Sequence, residues 1–297
     1  MDLARKLLPW STLKVVGPDR KTWLNGIVTC DIVGLEQGKA VWGLLLSKTG
    51  KIQSEFHALD NGEELLLGIP RTESDAVAET LEKYLIMEDA DIEAAEGTWQ
   101  VLIRTDKGQK SSSPEELRAD LLGQVVRAAE GSESSQWGIV SWGRFPVVLS
   151  YVEQGEALLS DSSQLIETEE DWRAQRLLLG KPEFGIDFTK RDNPHEAGLD
   201  RLTVSWEKGC YLGQEVVCMQ DMRGKLKRRL SVVTAPPSVQ LVEGEPLPSQ
   251  EGDLGLPSSV NGSSAFLKLS APLFEHTEIA AESGDPIAVA PILSAGS

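Results

Sequence analysis

Three short apolar runs, separated by two strong turns, constrain this chain more than any other feature of its sequence. Ala40–Leu46 and Ile52–Leu59 flank Ser47-Lys48-Thr49-Gly50-Lys51, and Glu64–Ile69 follows Asp60-Asn61-Gly62. Apolar runs of this length bounded by glycine turns read as hairpin strands. The period then changes. From Thr72 to Met87, Val77, Leu81, Tyr84 and Leu85 fall on one helical face, with Thr72 as the expected N-cap. Trp99–Arg104 returns to a strand pattern. Strand, strand, helix, strand is the order of a ferredoxin-like α+β unit.

Other elements are legible around it. Asp19–Ile27 reads as a short helix placing Trp23, Leu24 and Ile27 on one side, just after Pro18. Lys107–Glu116 is polar and serine-rich, an exposed loop. Gln124–Val126, Gly138–Ser141 and Phe145–Tyr151 read as strands, and Glu169–Leu179 as a helix stopped by Gly180. Asp192-Asn193-Pro194 is a turn. From Pro236 to Ser264 roughly half the residues are Pro, Gly or Ser, and Ala265–Leu269 and Pro286–Leu293 read as strands of a small barrel.

Charge and cysteine usage exclude several classes of function. The net charge is −17, which repels nucleic acid and anionic membranes. Cys30, Cys210 and Cys218 form neither a disulfide framework nor a CxxC pair, and His57, His195 and His276 are scattered, so no metal site is expected. Cys30 reads as a packed residue, and Cys218 as pointing into the packed face of a strand. No apolar run reaches the roughly 18–20 residues that cross a bilayer, and Met1–Trp10 lacks a secretory pattern. The expectation is a cytoplasmic protein. One segment breaks the acidic trend: Arg223, Lys225, Lys227, Arg228 and Arg229 fall close together. Charge alone reads these as solvated cations as readily as a site for a small anion.

The segment from Trp206 to Leu230 carries the most chemistry. Gly209 and Gly213 bracket Cys210-Tyr211-Leu212, so these residues are expected on a tight loop. Lys208 and the downstream cations would favour a thiolate at Cys210. Trp206 and Tyr211 offer flat faces for stacking, and Gln214 and Glu215 offer amide and carboxylate groups. Such a set suits a planar polar heterocycle with an anionic tail. It suits equally a buried turn with a core cysteine.

The stretch Lys208-Gly209-Cys210-Tyr211-Leu212-Gly213-Gln214-Glu215, followed by Arg223-Gly224-Lys225-Leu226-Lys227-Arg228-Arg229-Leu230, resembles the signature of the YgfZ family of folate-binding proteins, relatives of the glycine-cleavage T-protein. Trp23–Ile32, Gly38–Leu59, Arg176–Asp187 and Pro194–Leu199 resemble further family segments, so the likeness covers roughly residues 10–230. It implies an α+β, three-domain aminomethyltransferase-like fold with a ferredoxin-like insertion and a small C-terminal β-barrel. Residues 1–46 plus 126–230 would form the folate-binding domain, 47–125 the insertion and 231–297 the barrel. It implies tetrahydrofolate as ligand and iron–sulfur enzymes or cluster-assembly proteins as partners. Cys210 would be the functional cysteine. Lys208, Tyr211, Gln214, Glu215, Arg223, Arg228 and Glu196 would hold the folate.

Several positions depart from the family pattern. The transferase branch carries an Asp-Asp pair after its glycine hairpin, where this chain has Gly50-Lys51-Ile52-Gln53-Ser54-Glu55 and keeps at most one carboxylate, Glu55, and it carries a pterin-reading glutamate where this chain has Leu178. Both losses argue against aminomethyl transfer. Met219 stands where the family usually has an arginine, which leaves Arg223 as a substitute for the folate tail. Three readings follow: a folate-binding accessory protein in iron–sulfur cluster assembly or repair, a tetrahydrofolate-dependent aminomethyltransferase or demethylase, and a non-catalytic scaffold of the same fold.

Overall fold

The computed structural model describes residues 3–104, 135–143, 145–153 and 164–292. The loop expected at Lys107–Glu116, the strand expected at Gln124–Val126 and Leu293 lie outside these residues. The chain opens with strands β1 (Leu3–Leu8) and β2 (Trp10–Val16), helix α1 (Arg20–Asn25), and strands β3 (Gly38–Leu46), β4 (Ile52–Asp60) and β5 (Leu65–Pro70). Helix α2 (Ser74–Glu82) and strands β6 (Asp91–Ala95), β7 (Thr98–Arg104), β8 (Ser135–Trp142), β9 (Phe145–Val152) and β10 (Gln164–Leu165) follow. Helices α3 (Glu169–Leu179) and α4 (Gln214–Arg223) precede β11 (Arg228–Thr234), β12 (Pro248–Ser249), β13 (Gly252–Asp253), β14 (Ser258–Asn261), β15 (Ser264–Ser270), β16 (Glu278–Ala280) and β17 (Pro286–Pro291).

The first ten strands form one sheet, ordered β10-β1-β7-β9-β8-β3-β4-β5-β2-β6. It has two halves, joined where β3 runs parallel to β8 through Gly38 and Lys39. In one half, the order β6-β2-β5-β4 with α1 and α2 is the ferredoxin-like arrangement, and β3 is an extra strand beside β4. This unit begins at Trp10, upstream of residue 47. Residue 47 itself lies in the turn of the β3–β4 hairpin, whose register runs from Ala40 opposite Leu59 to Leu46 opposite Ile52. A second sheet, β14-β15-β11-β17-β16, forms the C-terminal unit, and β11 crosses the boundary expected at residue 231.

Three apolar cores match this division. Leu13, Val15, Trp23, Leu24, Phe56, Val77 and Leu81 fill the core beneath α1 and α2. Trp42, Trp99, Trp142, Tyr151, Trp172 and Phe188 belong to a second core that spans both half-sheets. Val233, Leu267, Leu269, Ile279 and Ile287 fill the C-terminal one. Gly68 serves the seam: a Cβ there would press into the rings of Trp10 and Trp99, which tilt against each other at 5.9 Å.

The helix ends show what the local sequence specifies. Thr168 caps α3 by accepting from the Asp171 N–H at 3.0 Å, and Gly180 closes it at φ 65°. Thr72 does not cap α2. Arg71–Glu73 is a 3-10 turn, and the helix starts at Ser74 without a side-chain cap. α2 also ends at Glu82 rather than Met87. Trp23 Nε1 donates to the Tyr84 carbonyl at 2.9 Å, so the chain is held in a turn while Tyr84 and Leu85 still pack on the same core.

Candidate functional site

The glycine-bracketed motif is anchored by backbone contact. Gly213 has φ 80°, and a Cβ there would strike the Ser47 carbonyl in the β3–β4 turn. Gly50, from that same turn, abuts the Val216 side chain. Hairpin and helix start therefore meet at a distance that only glycines permit. Cys210 is exposed on the loop so anchored.

Lys208 has a different task from the one its place beside Cys210 suggests. Its Nζ donates to the carbonyls of Asn25, Val28 and Cys30 at 2.6, 2.6 and 2.8 Å. The ammonium thus ties the motif to the end of α1, and burial lowers its pKa. Tyr211 is buried in the seam core rather than offered for stacking, with Lys208 Nζ 5.3 Å from its ring centroid. Burial raises its hydroxyl's pKa, and that hydroxyl has no partner among the described residues. Cys30 is the packed residue expected: its thiol is pushed up to about 12 by burial. Cys218 is corrected. It is half-buried on helix α4, not on a strand.

Gln214 and Glu215 form the first turn of α4, Gln214 half-buried and Glu215 exposed. Arg223 is exposed at the end of that helix. Glu196 and Arg228 lie in an ion network. Glu196 takes Lys51 at 3.0 Å and Arg228 Nε at 3.6 Å, while Arg228 also reaches Asp192 at 3.2 Å. His195, Asp200 and Asp221 bring possible ligand atoms within 4.8 Å of one another. Arg229 and Arg201 already neutralise those carboxylates, at 2.8 Å to Asp200 and 3.3 Å to Asp221.

None of these residues lines the cleft at the β1–β2 corner. That cleft holds about 460 Å³ of empty space, counted out into its open mouth. Trp10, Trp142, Trp172 and Phe184 wall it, and Glu55, Arg176, Lys181 and Glu183 supply its charge. Glu55 is buried and accepts from Trp42 Nε1 at 2.8 Å, Lys181 Nζ at 2.7 Å and the Phe184 N–H at 3.2 Å. Lys181 Nζ also sits 4.1 Å from the Trp42 ring centroid. Burial lowers the Lys181 pKa, and Glu55 opposes that shift. Behind them His57 is fully buried, stacked on Trp10 and Trp42, and accepts from Trp142 Nε1 at 2.9 Å. Burial first, and then Lys181, hold its pKa well below the usual histidine value. An aromatic-walled cleft with paired charges in its lining suits a polar ring.

Of the cleft residues, sequence reading singled out Glu55 as a surviving carboxylate and Arg176 as a helix position. It gave no site role to Lys181, Glu183, Trp10 or Trp142, and it set His57, which packs behind the cleft, aside as scattered. The one available signal was compositional: the chain has eight Trp against six Phe and three Tyr.

Comparison with known proteins bears on this arrangement. No protein-family model matches the chain. The tRNA-modifying protein YgfZ of Vibrio atlanticus is 27% identical over 230 residues, covering 77% of this chain and 68% of that protein. Its namesake from Aliivibrio fischeri is 23% identical over 257 residues, covering 84% and 76%. The chain is similar in sequence to the YgfZ proteins. Its fold is that of the glycine cleavage aminomethyltransferase T of Bartonella henselae, with a TM-score of 0.74, 17% identity, and coverage of 98% of this chain and 85% of that one. The expected α+β aminomethyltransferase-like class is thus the observed one. No helix among the described residues is long and apolar enough to cross a membrane.

Proposed function

We propose that this YgfZ-like chain is a cytoplasmic folate-binding accessory protein for iron–sulfur enzymes, and that it does not carry out one-carbon transfer. The observation that carries this reading is the division between two places. An aromatic, charge-paired cleft suits the folate ring, while the exposed Cys210 stands outside it on a rigidly anchored loop. A cleft that binds a regulator and a thiol turned toward partners fit an accessory role. The state of Glu55 supports the same reading. A transferase needs a carboxylate free to manage a proton, and Glu55 is committed to Lys181, Trp42 and Phe184.

In this reading tetrahydrofolate puts its ring in the cleft, and its anionic tail runs toward the cations of the Arg223–Arg229 segment. The relatives' link to tRNA modification is then indirect. A chain of net charge −17 is a poor direct ligand for RNA, so it would serve the enzyme that modifies the tRNA. Calorimetric titration with tetrahydrofolate tests the ligand. Binding is expected, tightened in Met219→Arg by the restored guanidinium, and absence of binding heat in both proteins overturns the folate reading. Cys210→Ala is expected to lose the rescue of iron–sulfur enzyme activity in a deletion strain. Full rescue removes Cys210 from the mechanism.

A further inference from the structure

Helix α4 is held from one side and bare on the other. Gly213 and Gly50 fix its start against the β3–β4 turn, and Val217 is its one buried side chain. At its end the Gly224 N–H donates to the Gln220 carbonyl at 2.9 Å. The outer face carries Met219 and Met222, three residues apart and so neighbours on the helix surface, exposed at 46% and 78%. A solvent-facing helical stripe is ordinarily polar or charged, so two adjacent methionines there are apolar surface without a cover. The chain beyond them is basic, with no acidic residue from Met222 to Val242. Arg228 and Arg229 turn to Asp192 and Asp200. Arg223, Lys225 and Lys227 are exposed and, among the described residues, form no ion pair. Lys48, exposed in the turn that Gly213 meets, is unpaired in the same sense. The negative end of the helix dipole accounts for Arg223, but Lys225 and Lys227 lie past it. Acidic side chains outnumber basic ones 46 to 29, so these cations are not free for want of carboxylates.

We infer that this face docks a short acidic segment of a partner protein, whose apolar side chains cover Met219 and Met222 and whose carboxylates meet Arg223, Lys225 and Lys227. Methionine adapts its shape to varied apolar side chains, and the cations set orientation and register. The surface is built in advance. Glycine contacts hold the start of the helix, and the Lys227 carbonyl accepts from the Ala271 N–H at 2.9 Å, so docking orders little new backbone. The charge of the whole chain selects among anionic partners. At −17 it repels RNA and an anionic bilayer, which are extended arrays of charge, far more than a segment bearing a few carboxylates. The inference rests on the accessory reading for the partner's identity, an iron–sulfur enzyme or assembly protein. It places docking one ten-residue helix, about 15 Å, beyond the loop that presents Cys210.

The test uses the whole chain and three fluorescein-labelled peptides of equal length. The first combines glutamates with leucines at helical spacing, the second has lysines in place of the glutamates, and the third has glutamate and serine alone. Wild type is expected to bind the first, to bind the third about tenfold more weakly, and to leave the second unbound. Met222→Asp should weaken the first by roughly tenfold, while its tetrahydrofolate titration and thermal unfolding match wild type. Lys225→Glu combined with Lys227→Glu should abolish the preference for glutamate over lysine. Hydrogen exchange should slow at residues 217–227 when the first peptide is bound. Equal binding of the acidic and basic peptides, or a Met222→Asp affinity within twofold of wild type, overturns the inference. Tighter binding of single-stranded RNA or of phosphatidylserine vesicles than of the acidic peptide also overturns it. So does a wild-type dimer in sedimentation that Met222→Asp dissolves, which would give the face to a second copy. The accessory reading is judged separately, by the folate titration and by rescue with Cys210→Ala, and either reading can fail without the other.

Discussion

His57 is a residue whose burial has a measurable consequence for pH dependence. It is faced by Trp10, Trp42 and Trp142 on its rings and by the Lys181 ammonium, and it stays neutral in the folded state. Unfolded, it titrates with a pKa near 6.5. Above that pH neither state binds the proton, and the stability from burying the neutral ring is fully present. Below it only the unfolded chain binds the proton, so stability falls as pH drops, by about 1.4 kcal/mol per pH unit from this residue. Urea unfolding at pH 7.5 and pH 5.5 is expected to show a smaller pH loss in His57→Gln than in wild type. Equal losses would remove His57 as the cause. Gly213 belongs to the same scale. An alanine at φ 80° against the Ser47 carbonyl is expected to cost about 2 kcal/mol or more in the same assay.

At the scale of elements, Lys208 matters as the tie between the motif loop and α1. Lys208→Met keeps the apolar stem and removes three charge-assisted bonds to carbonyls. Hydrogen exchange should accelerate at the amides of residues 25–30 and 208–213 while the β3–β4 hairpin stays protected. Unchanged exchange there would show that the tie is dispensable. Which elements were legible in the sequence follows from the same local physics. β3, β4, β5, α3 and the turns between them announce themselves through apolar period, glycine turns and the Gly180 stop. α4 does not. Gln214–Arg223 buries only Val217, so no apolar stripe marks it, and glycine contact with the hairpin holds it in place. β1 and β2 were missed for a related reason. Leu3–Leu8 and Trp10–Val16 interleave basic and polar residues with apolar ones, and Lys6 is buried against Glu169, which no local pattern reveals. The cleft was the least legible feature. Trp10, Trp142 and Trp172 come from opposite ends of a long stretch of chain, and only the β1–β2 corner and the start of α3 bring them together.

Over the whole molecule, one buried carboxylate joins the N-terminal sheet to the C-terminal one. Asp192 is fully buried and takes Lys268 from β15 at 2.6 Å and Arg228 from β11 at 3.2 Å. Its backbone carbonyl accepts from the Ile52 N–H at the head of β4 at 2.9 Å. Glu196 extends the joint by holding Lys51 of the hairpin turn. Elsewhere the two parts meet on the α3 side, where Arg176 and Asp187 hold Ser259 and Arg173 holds the Val260 carbonyl, and through Leu230, Phe266 and Ile292, which pack into the seam core. Removing the Asp192 charge leaves two cations that are each partly exposed and can rehydrate. The expected cost is therefore at the low end for a broken buried pair, about 3 kcal/mol. The loss is not expected to spread evenly. The C-terminal sheet has its own apolar core, so with one joint weakened it should melt separately. Calorimetry of Asp192→Asn should then show two transitions, the lower one quenched first by added urea, where wild type shows one. Lys268→Met, which removes a single arm of the joint, should lower the midpoint without splitting the transition. A single cooperative transition in Asp192→Asn with an unchanged midpoint would mean that the α3 side and the shared core around Leu230, Phe266 and Ile292 couple the two sheets without it.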